Sequence, residues 1–89
     1  MKPKIEILYF SATWCGPCKM FKPIFDQFIS EHPEVECKFI DVEQSEGYEH
    51  FRVMAVPTII FLKGGIEQAR LSGAKSKKVL EQTLEDITF

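Results

Sequence analysis

Cys15 and Cys18 are separated by Gly16 and Pro17, at the point where an apolar run, Ile5 to Phe10, gives way to a helical pattern, Met20 to Ile29. Two thiols at this spacing have two chemistries open to them: reversible dithiol–disulfide exchange, or half of a zinc or iron–sulfur ligand set. The placement favours exchange. The first N–H groups of a helix lack internal partners, and the dipole there favours negative charge. A thiolate at that spot is stabilised, so its pKa falls below the ordinary value of about 8.5. Cys15, at the helix mouth, gains most. Cys18, one turn further in, is expected to be covered by helix and sheet, with both sulfurs on one face of the turn and within bonding reach. Pro17 loses nothing by having no N–H in a first turn. Gly16 adds no side chain over the sulfurs, and the two residues together stiffen the loop while also serving as ordinary turn chemistry. A zinc site needs four ligands, and the chain has no second C-x-x-C or H-x-x-H pair; Cys37 and His50 are single residues elsewhere.

The elements that must hold this pair follow from hydrophobic periodicity. Lys4 to Phe10 reads as a central strand covered on both faces. Residues 15–31 read as a helix, with Met20, Phe21, Ile24, Phe25, Phe28 and Ile29 on a stripe of period 3.6. Pro23 interrupts that stripe and predicts a kink, leaving a short first turn that carries the cysteines. Val35 to Val42 is a second strand, with Val35, Cys37 and Phe39 on one face. Ser45 is placed to cap a short helix through about Arg52. Pro57 opens a third strand, Thr58 to Leu62, and Gly64-Gly65 turns it into an edge strand, Ile66 to Leu71. Ser76 caps a final helix whose stripe is Val79, Leu80, Leu84 and Ile87. The order is β-α-β-α-β-β-α, in which a right-handed crossover makes the first two strands parallel.

The string Trp14-Cys15-Gly16-Pro17-Cys18-Lys19 resembles the redox site of thioredoxins. Val56-Pro57-Thr58 is similar to that family's cis-proline loop, Gly64-Gly65 to its hairpin turn, and Gly73 to the glycine before its last helix; the likeness covers essentially the whole chain. The resemblance implies an α/β thioredoxin fold with a four-stranded mixed sheet in the order 2-1-3-4, flanked by helices. It implies a thiol–disulfide oxidoreductase that reduces protein disulfides, with Cys15 attacking and Cys18 resolving the mixed disulfide. The redox-active disulfide is then the working group, with no cofactor and no metal. A cis Val56–Pro57 bond would leave the Val56 backbone free to pair with an extended substrate segment. Trp14, Gly16, Pro17, Val56, Pro57 and Gly73 are the expected substrate-binding residues. Trp14 is expected to dock partners, since an aromatic beside an exposed reactive group seldom buries fully. The family's extra leading strand and helix have no counterpart here, so the second strand is expected to be an open edge, guarded by Glu36, Lys38, Asp41 and Glu43.

The chain departs from the family in two places. Thioredoxins usually carry a buried aspartate six residues before the first cysteine, where it helps take the proton from the second; Tyr9 stands there. A phenol titrating near ~10 is a poor base at neutral pH. Cys18 is therefore expected to be activated by water, by Lys38 or by the departing Cys15. Ser11 replaces a common aromatic and opens the surface. Lys19 is expected on the exposed first turn. Cys37 reads as a small buried hydrophobe. His32 and His50 read as lone and solvated, and Asp41, Glu43, Glu46 and Glu49 as a solvated acidic face.

Eighty-nine residues make one domain, residues 1–89, and 45% apolar content is enough for one core, with eight phenylalanines each able to bury about 150–250 Å². A net charge of −2 gives no nucleic-acid partner a basic surface, and no stretch approaches the ~20 apolar residues of a membrane span. The absence of a secretory leader argues for the cytoplasm, and three cysteines exclude a full disulfide framework. The expected electron donor is a thioredoxin reductase, with glutathione as the alternative, since the short length also resembles glutaredoxins; a monomer is expected. The rivals are an oxidant or isomerase, which needs a secretory address, a non-enzymatic interaction module of the same fold, and metal or cluster binding between two copies.

Overall fold

The first strand, β1 (Ile5–Ser11), is the one on which the rest is arranged. The computed structural model describes residues 4–44 and 46–88. Its other strands are β2 (Glu36–Asp41), β3 (Thr58–Lys63) and β4 (Ile66–Ser72), and its helices are α1 (Gly16–Ser30) and α2 (Lys77–Ile87). The sheet order is β2-β1-β3-β4, as expected. β1 and β2 run parallel, with Leu8 opposite Lys38 and Tyr9 opposite Phe39, while β3 is antiparallel to both β1 and β4. A parallel pair cannot be joined by a tight turn, and α1 supplies the crossover.

Ile7, Leu8, Tyr9 and Phe10 are all buried, so the strand is covered on both faces as its apolar run requires. Alternation divides its side chains. Ile7 and Tyr9 meet Phe21, Phe25 and Phe28 of α1 and Leu80 and Leu84 of α2, together with Ile59 and Phe61. Leu8 and Phe10 face the other way, with Ile40, Ile60 and Leu62, and are covered by Val42, Tyr48, Phe51 and Val53. Both α-helices therefore lie on one face of the sheet, and the connection between β2 and β3 closes the other.

That connection is not the short helix expected. It forms two single 3₁₀ turns, Val42–Gln44 and Glu49–Phe51; the proposed cap, Ser45, lies outside the described residues. Gly47 takes a φ of 93° between the turns, and Arg52 takes a φ of 53° at the end of the second, and such left-handed residues break a helical run. The segment is held instead by aromatic contacts: Phe10 lies 6.2 Å from Tyr48 and 6.1 Å from Phe51, ring centre to ring centre.

α1 also differs from expectation. Pro23 lies inside it but does not divide it, so the cysteines and the packing stripe share one helix. Lys19 and Pro23 are both exposed, so water can reach the Lys19 carbonyl that a proline at the fourth following position leaves unpaired. Gly64 and Gly65 have φ of 59° and 82°, the two positive values of a type I′ hairpin turn. Between β3 and β4 the register steps from Phe61–Ala69 to Leu62–Glu67, leaving Gln68 as a bulge on an edge strand, a device that blunts edge pairing. At the other edge, Lys4 is ion-paired with Glu36. No helix among the described residues is long and apolar enough to cross a membrane.

Phe25 is wholly buried and touches Tyr9, Phe21, Phe28 and Phe39. Replacing it with alanine removes a transfer term and leaves a cavity, and we expect Phe25→Ala to cost about 3–5 kcal/mol in urea unfolding. A loss below about 1 kcal/mol would mean that the core on this face is not closed as described.

Candidate active site

The site is assembled where β1 ends. The Cys15 N–H donates to the Ala12 carbonyl at 3.2 Å, closing the turn between strand and helix. Cys15 is the N-cap of α1, with extended backbone (φ −86°, ψ 109°), and its Sγ accepts the Cys18 N–H at 3.1 Å. A sulfur thus occupies the place usually taken by a serine or aspartate oxygen. In the reduced protein an anionic sulfur accepts that bond better than a neutral one, which pulls the thiol toward ionisation. The structure holds the oxidised form. The Cys15 and Cys18 sulfurs are bonded, with Cα atoms 5.3 Å apart. Both cysteines are buried, at 3% and 5% exposure, against Ala12, Val42 and Val56. Cys18 is covered as expected; Cys15 is more enclosed than an exposed reactive group.

The loop before β3 faces the pair. The Val56–Pro57 peptide bond is cis, and the Val56 carbonyl oxygen lies 3.7 Å from Cys15 Sγ. Two bonds brace the loop on either side: the Thr58 hydroxyl donates to the Ala55 carbonyl at 2.6 Å, and the Gly73 N–H donates to the Pro57 carbonyl at 2.8 Å. Gly73 has a φ of 87° and open space where a Cβ would stand, so its backbone conformation, and not a close approach, accounts for the glycine. Gly16 and Pro17 are exposed at the rim.

Beside the cysteines runs a groove of about 160 Å³ lined by Trp14, Val42, Val53, Met54, Ala55 and Val56. Trp14 is 67% exposed and Met54 93%. Sequence reading did not single out Met54. The available signal was an apolar residue just ahead of the proline loop, in a stretch with no periodicity to bury it.

On the inner side, the Tyr9 hydroxyl donates to the Cys18 carbonyl at 3.5 Å, and the ring packs on Phe25 and Phe39 at 4.6 and 5.4 Å. Burial, and next the Asp26 charge, hold this phenol above its ordinary pKa. Tyr9 is thus no base at neutral pH. Nor can Lys38 serve. It pairs with Leu8 and so points to the opposite face from Tyr9, into a groove with Ile40, Asp41 and Tyr48. The residue that stands beside Tyr9 is Phe39, which is half exposed and lies under the Lys22 ammonium at 4.7 Å. A shift of one residue along a strand exchanges faces, and that parity defeats the expectation for Lys38.

Cys37 packs against the α1-side core, as expected of a small hydrophobe. Burial, helped by the Asp26 charge, pushes its thiol up to about 12. The unfolded chain releases that proton near 9.0, so above that pH the unfolded state gains. Cys37 therefore adds a stability that is full below pH 9.0 and lost as pH rises towards 12. We expect Cys37→Ala to flatten the alkaline fall in stability followed by circular dichroism while leaving activity intact; an unchanged alkaline profile would contradict the assignment.

His32 is not the lone, solvated residue expected. It is bonded to Glu81 of α2, lies 3.5 Å from Glu34, and rests on Phe28 with ring centres 4.9 Å apart. With the Glu31–Lys77 pair it ties the end of α1 to α2. His50 is exposed, its ring 4.2 Å from Phe51. Two members of the acidic face bond backbone amides: Asp41 accepts from the Glu43 N–H at 2.8 Å, and Glu49 from the Gly47 N–H at 2.9 Å.

The chain matches the family model described as Thioredoxin over residues 1–86. It is 39% identical over 85 residues to the thioredoxin of Gallus gallus, covering 94% of this chain and 80% of that one. It is 38% identical over 85 residues to Thioredoxin H2-1 of Oryza sativa subsp. japonica, covering 94% of this chain but only 61% of the rice protein's length. The crystal structure of thioredoxin NaTrxh from Nicotiana alata superposes with a TM-score of 0.89 at 38% identity, covering 98% of this chain and 76% of that one. With a capped cysteine pair, a cis-proline loop against it and a sheet in the order 2-1-3-4, the chain belongs to the thioredoxin family.

Proposed function

We propose that this protein is a thiol–disulfide oxidoreductase that reduces disulfides in protein substrates. The observation that carries this reading is the Cys15–Cys18 disulfide at the N-terminus of α1, with the Val56 carbonyl of the cis-proline loop set against the outer sulfur. In the reduced protein the Cys15 thiolate attacks one sulfur of a substrate disulfide. A Cys15–substrate bond forms, the substrate S–S bond breaks, and the first substrate thiolate leaves and takes up a proton from water. Cys18 then loses its proton and attacks Cys15 Sγ. The mixed disulfide breaks, the Cys15–Cys18 bond forms, and the second substrate thiolate departs. Two electrons have passed to the substrate, and the cysteine pair itself is the redox group.

The exposed Trp14 and Met54 flank the groove beside Cys15 and offer apolar contact to an extended polypeptide. The Val56 backbone sits where such a segment adds as a strand, with Pro57, Gly73, Gly16 and Pro17 shaping the rim. We assign the electron donor to a thioredoxin reductase. A relative from Mycobacterium leprae, 39% identical over 86 residues that cover 94% of this chain and 19% of that protein, is named a bifunctional thioredoxin reductase/thioredoxin. A cytoplasmic setting and a monomeric state complete the reading; the free, half-buried thiol of Cys37 suits a reducing compartment.

The test is turnover of a disulfide-containing protein with NADPH and a thioredoxin reductase, against turnover with glutathione alone. Activity with the reductase is expected. Activity with glutathione only would assign the donor to glutathione, and no activity with either would overturn the enzymatic reading in favour of an interaction module.

A further inference from the structure

Thr58 is the buried polar side chain of the described core, 2% exposed. A buried hydroxyl needs a partner, and this one has found the Ala55 carbonyl, at 2.6 Å, across the cis Val56–Pro57 bond. While the Thr58 backbone pairs with Phe10 and Ser72 in the sheet, its hydroxyl reaches back over the two residues that face the cysteines. On the far side of the same peptide, the Gly73 N–H holds the Pro57 carbonyl at 2.8 Å. Ala55 and Pro57 are thus both tethered, and Val56 is clamped between them. Its carbonyl stands 3.7 Å from Cys15 Sγ.

Cys15 Sγ therefore lies between two opposed dipoles. The Cys18 N–H at 3.1 Å presents positive charge and favours the thiolate. The Val56 oxygen presents negative charge, accepts a thiol S–H, and repels an anion. The clamp sets how much of the second effect the sulfur feels, and the same clamp fixes the backbone groups that an incoming strand must meet. A fixed loop spares the complex the entropy of ordering it.

We propose that Thr58 is a positioning residue: by holding the Ala55 carbonyl, its hydroxyl keeps the Val56 carbonyl against Cys15 and so restrains that sulfur's ionisation and aligns the loop for substrate. This deepens the reading of the site as a disulfide reductase and rests on it. Gly73 shares the clamp through its backbone, which no side-chain substitution removes; Thr58 is the member that can be tested.

The experiment compares Thr58→Val, which keeps the shape and deletes the hydroxyl, with Thr58→Ser, which keeps the hydroxyl. The reduced proteins are titrated with iodoacetamide across pH, a readout that needs neither substrate nor reductase and so separates failure of this inference from failure of the enzymatic reading. In Thr58→Val we expect the Cys15 alkylation rate at pH below its midpoint to rise roughly threefold as the carbonyl drifts away. With a protein disulfide, we expect KM to rise several-fold and kcat to change less. Thr58→Ser should match wild type in both. Wild-type alkylation and KM in a folded Thr58→Val would overturn the inference. Should Thr58→Val not fold, Thr58→Ala is titrated in its place: faster alkylation sustains the role of the hydroxyl, and wild-type alkylation contradicts it.

Discussion

Replacing Cys18 with serine is expected to stop the reaction halfway. Cys15 keeps its place as N-cap and the Cys18 backbone N–H remains its donor, so the attacking sulfur stays competent. The second sulfur, however, is gone, and a serine hydroxyl cannot displace the substrate thiolate. The variant should accumulate a covalent complex with a protein disulfide, visible on a non-reducing gel and released by dithiothreitol, while steady-state turnover falls by about a thousandfold or more, the scale on which loss of a covalent-catalysis group is felt. Cys15→Ser should lose turnover to the same extent and form no complex, because the attacking atom itself is absent. The opposite pattern, with the complex formed by Cys15→Ser and not by Cys18→Ser, would reverse the roles given to the two sulfurs. Both cysteines are buried, so the complex should form faster with an unfolded or extended partner that can enter the groove between Trp14 and Met54.

The second large effect concerns the resolving step. Cys18 must lose a proton before it attacks, and it sits in an apolar enclosure that disfavours its anion. Tyr9, whose hydroxyl meets the Cys18 carbonyl, is held above the ordinary phenol range, and Lys38 points to the other face of the sheet. In the wild type, resolution should therefore quicken by about tenfold for each unit that pH rises toward the Cys18 midpoint. A carboxylate in place of Tyr9 supplies the missing base. We expect Tyr9→Asp to raise the resolution rate at neutral pH by roughly tenfold or more and to flatten its pH dependence. Tyr9→Phe, which removes only the hydroxyl, should leave both unchanged. The aspartate variant also loses a ring packed among Phe21, Phe25 and Phe39, a truncation that costs about 3–5 kcal/mol, so rates are to be read at low temperature where circular dichroism reports a folded chain. Unchanged resolution in folded Tyr9→Asp would remove the base from the account.

The parts of this site that were legible in the sequence are those set by local rules. The doubly apolar run of β1, the 3.6-residue stripe of α1, the C-x-x-C spacing between them and the glycine pair at 64–65 each act over a few residues, and each stands where it was read. Resemblance supplied the sheet order and the cis bond before Pro57. The parts that were not legible depend on tertiary placement. Phe39, and not Lys38, stands beside Tyr9 because register, rather than composition, decides which face a strand residue takes. His32 meets Glu81 across 49 positions of sequence, which no local pattern encodes. The expected helix after β2 became two 3₁₀ turns because Phe10 needs cover from Tyr48 and Phe51, and left-handed Gly47 and Arg52 bend the chain to provide it. The hydroxyl of Thr58 gave no sign of its role, since a threonine opening a strand is ordinary and only the cis loop turns its bond back over Val56.

These pieces converge on one atom. The helix start, the Cys18 N–H and the bracing of the proline loop all act on Cys15 Sγ. The most direct measurement is the titration of that sulfur in the reduced protein, by thiolate absorbance near 240 nm with Cys18→Ser as the partnerless reference. A midpoint clearly below the ordinary cysteine value of about 8.5 is expected. A midpoint at or above that value would contradict the role given to Cys15, since the capping geometry would then lend the sulfur no anionic character.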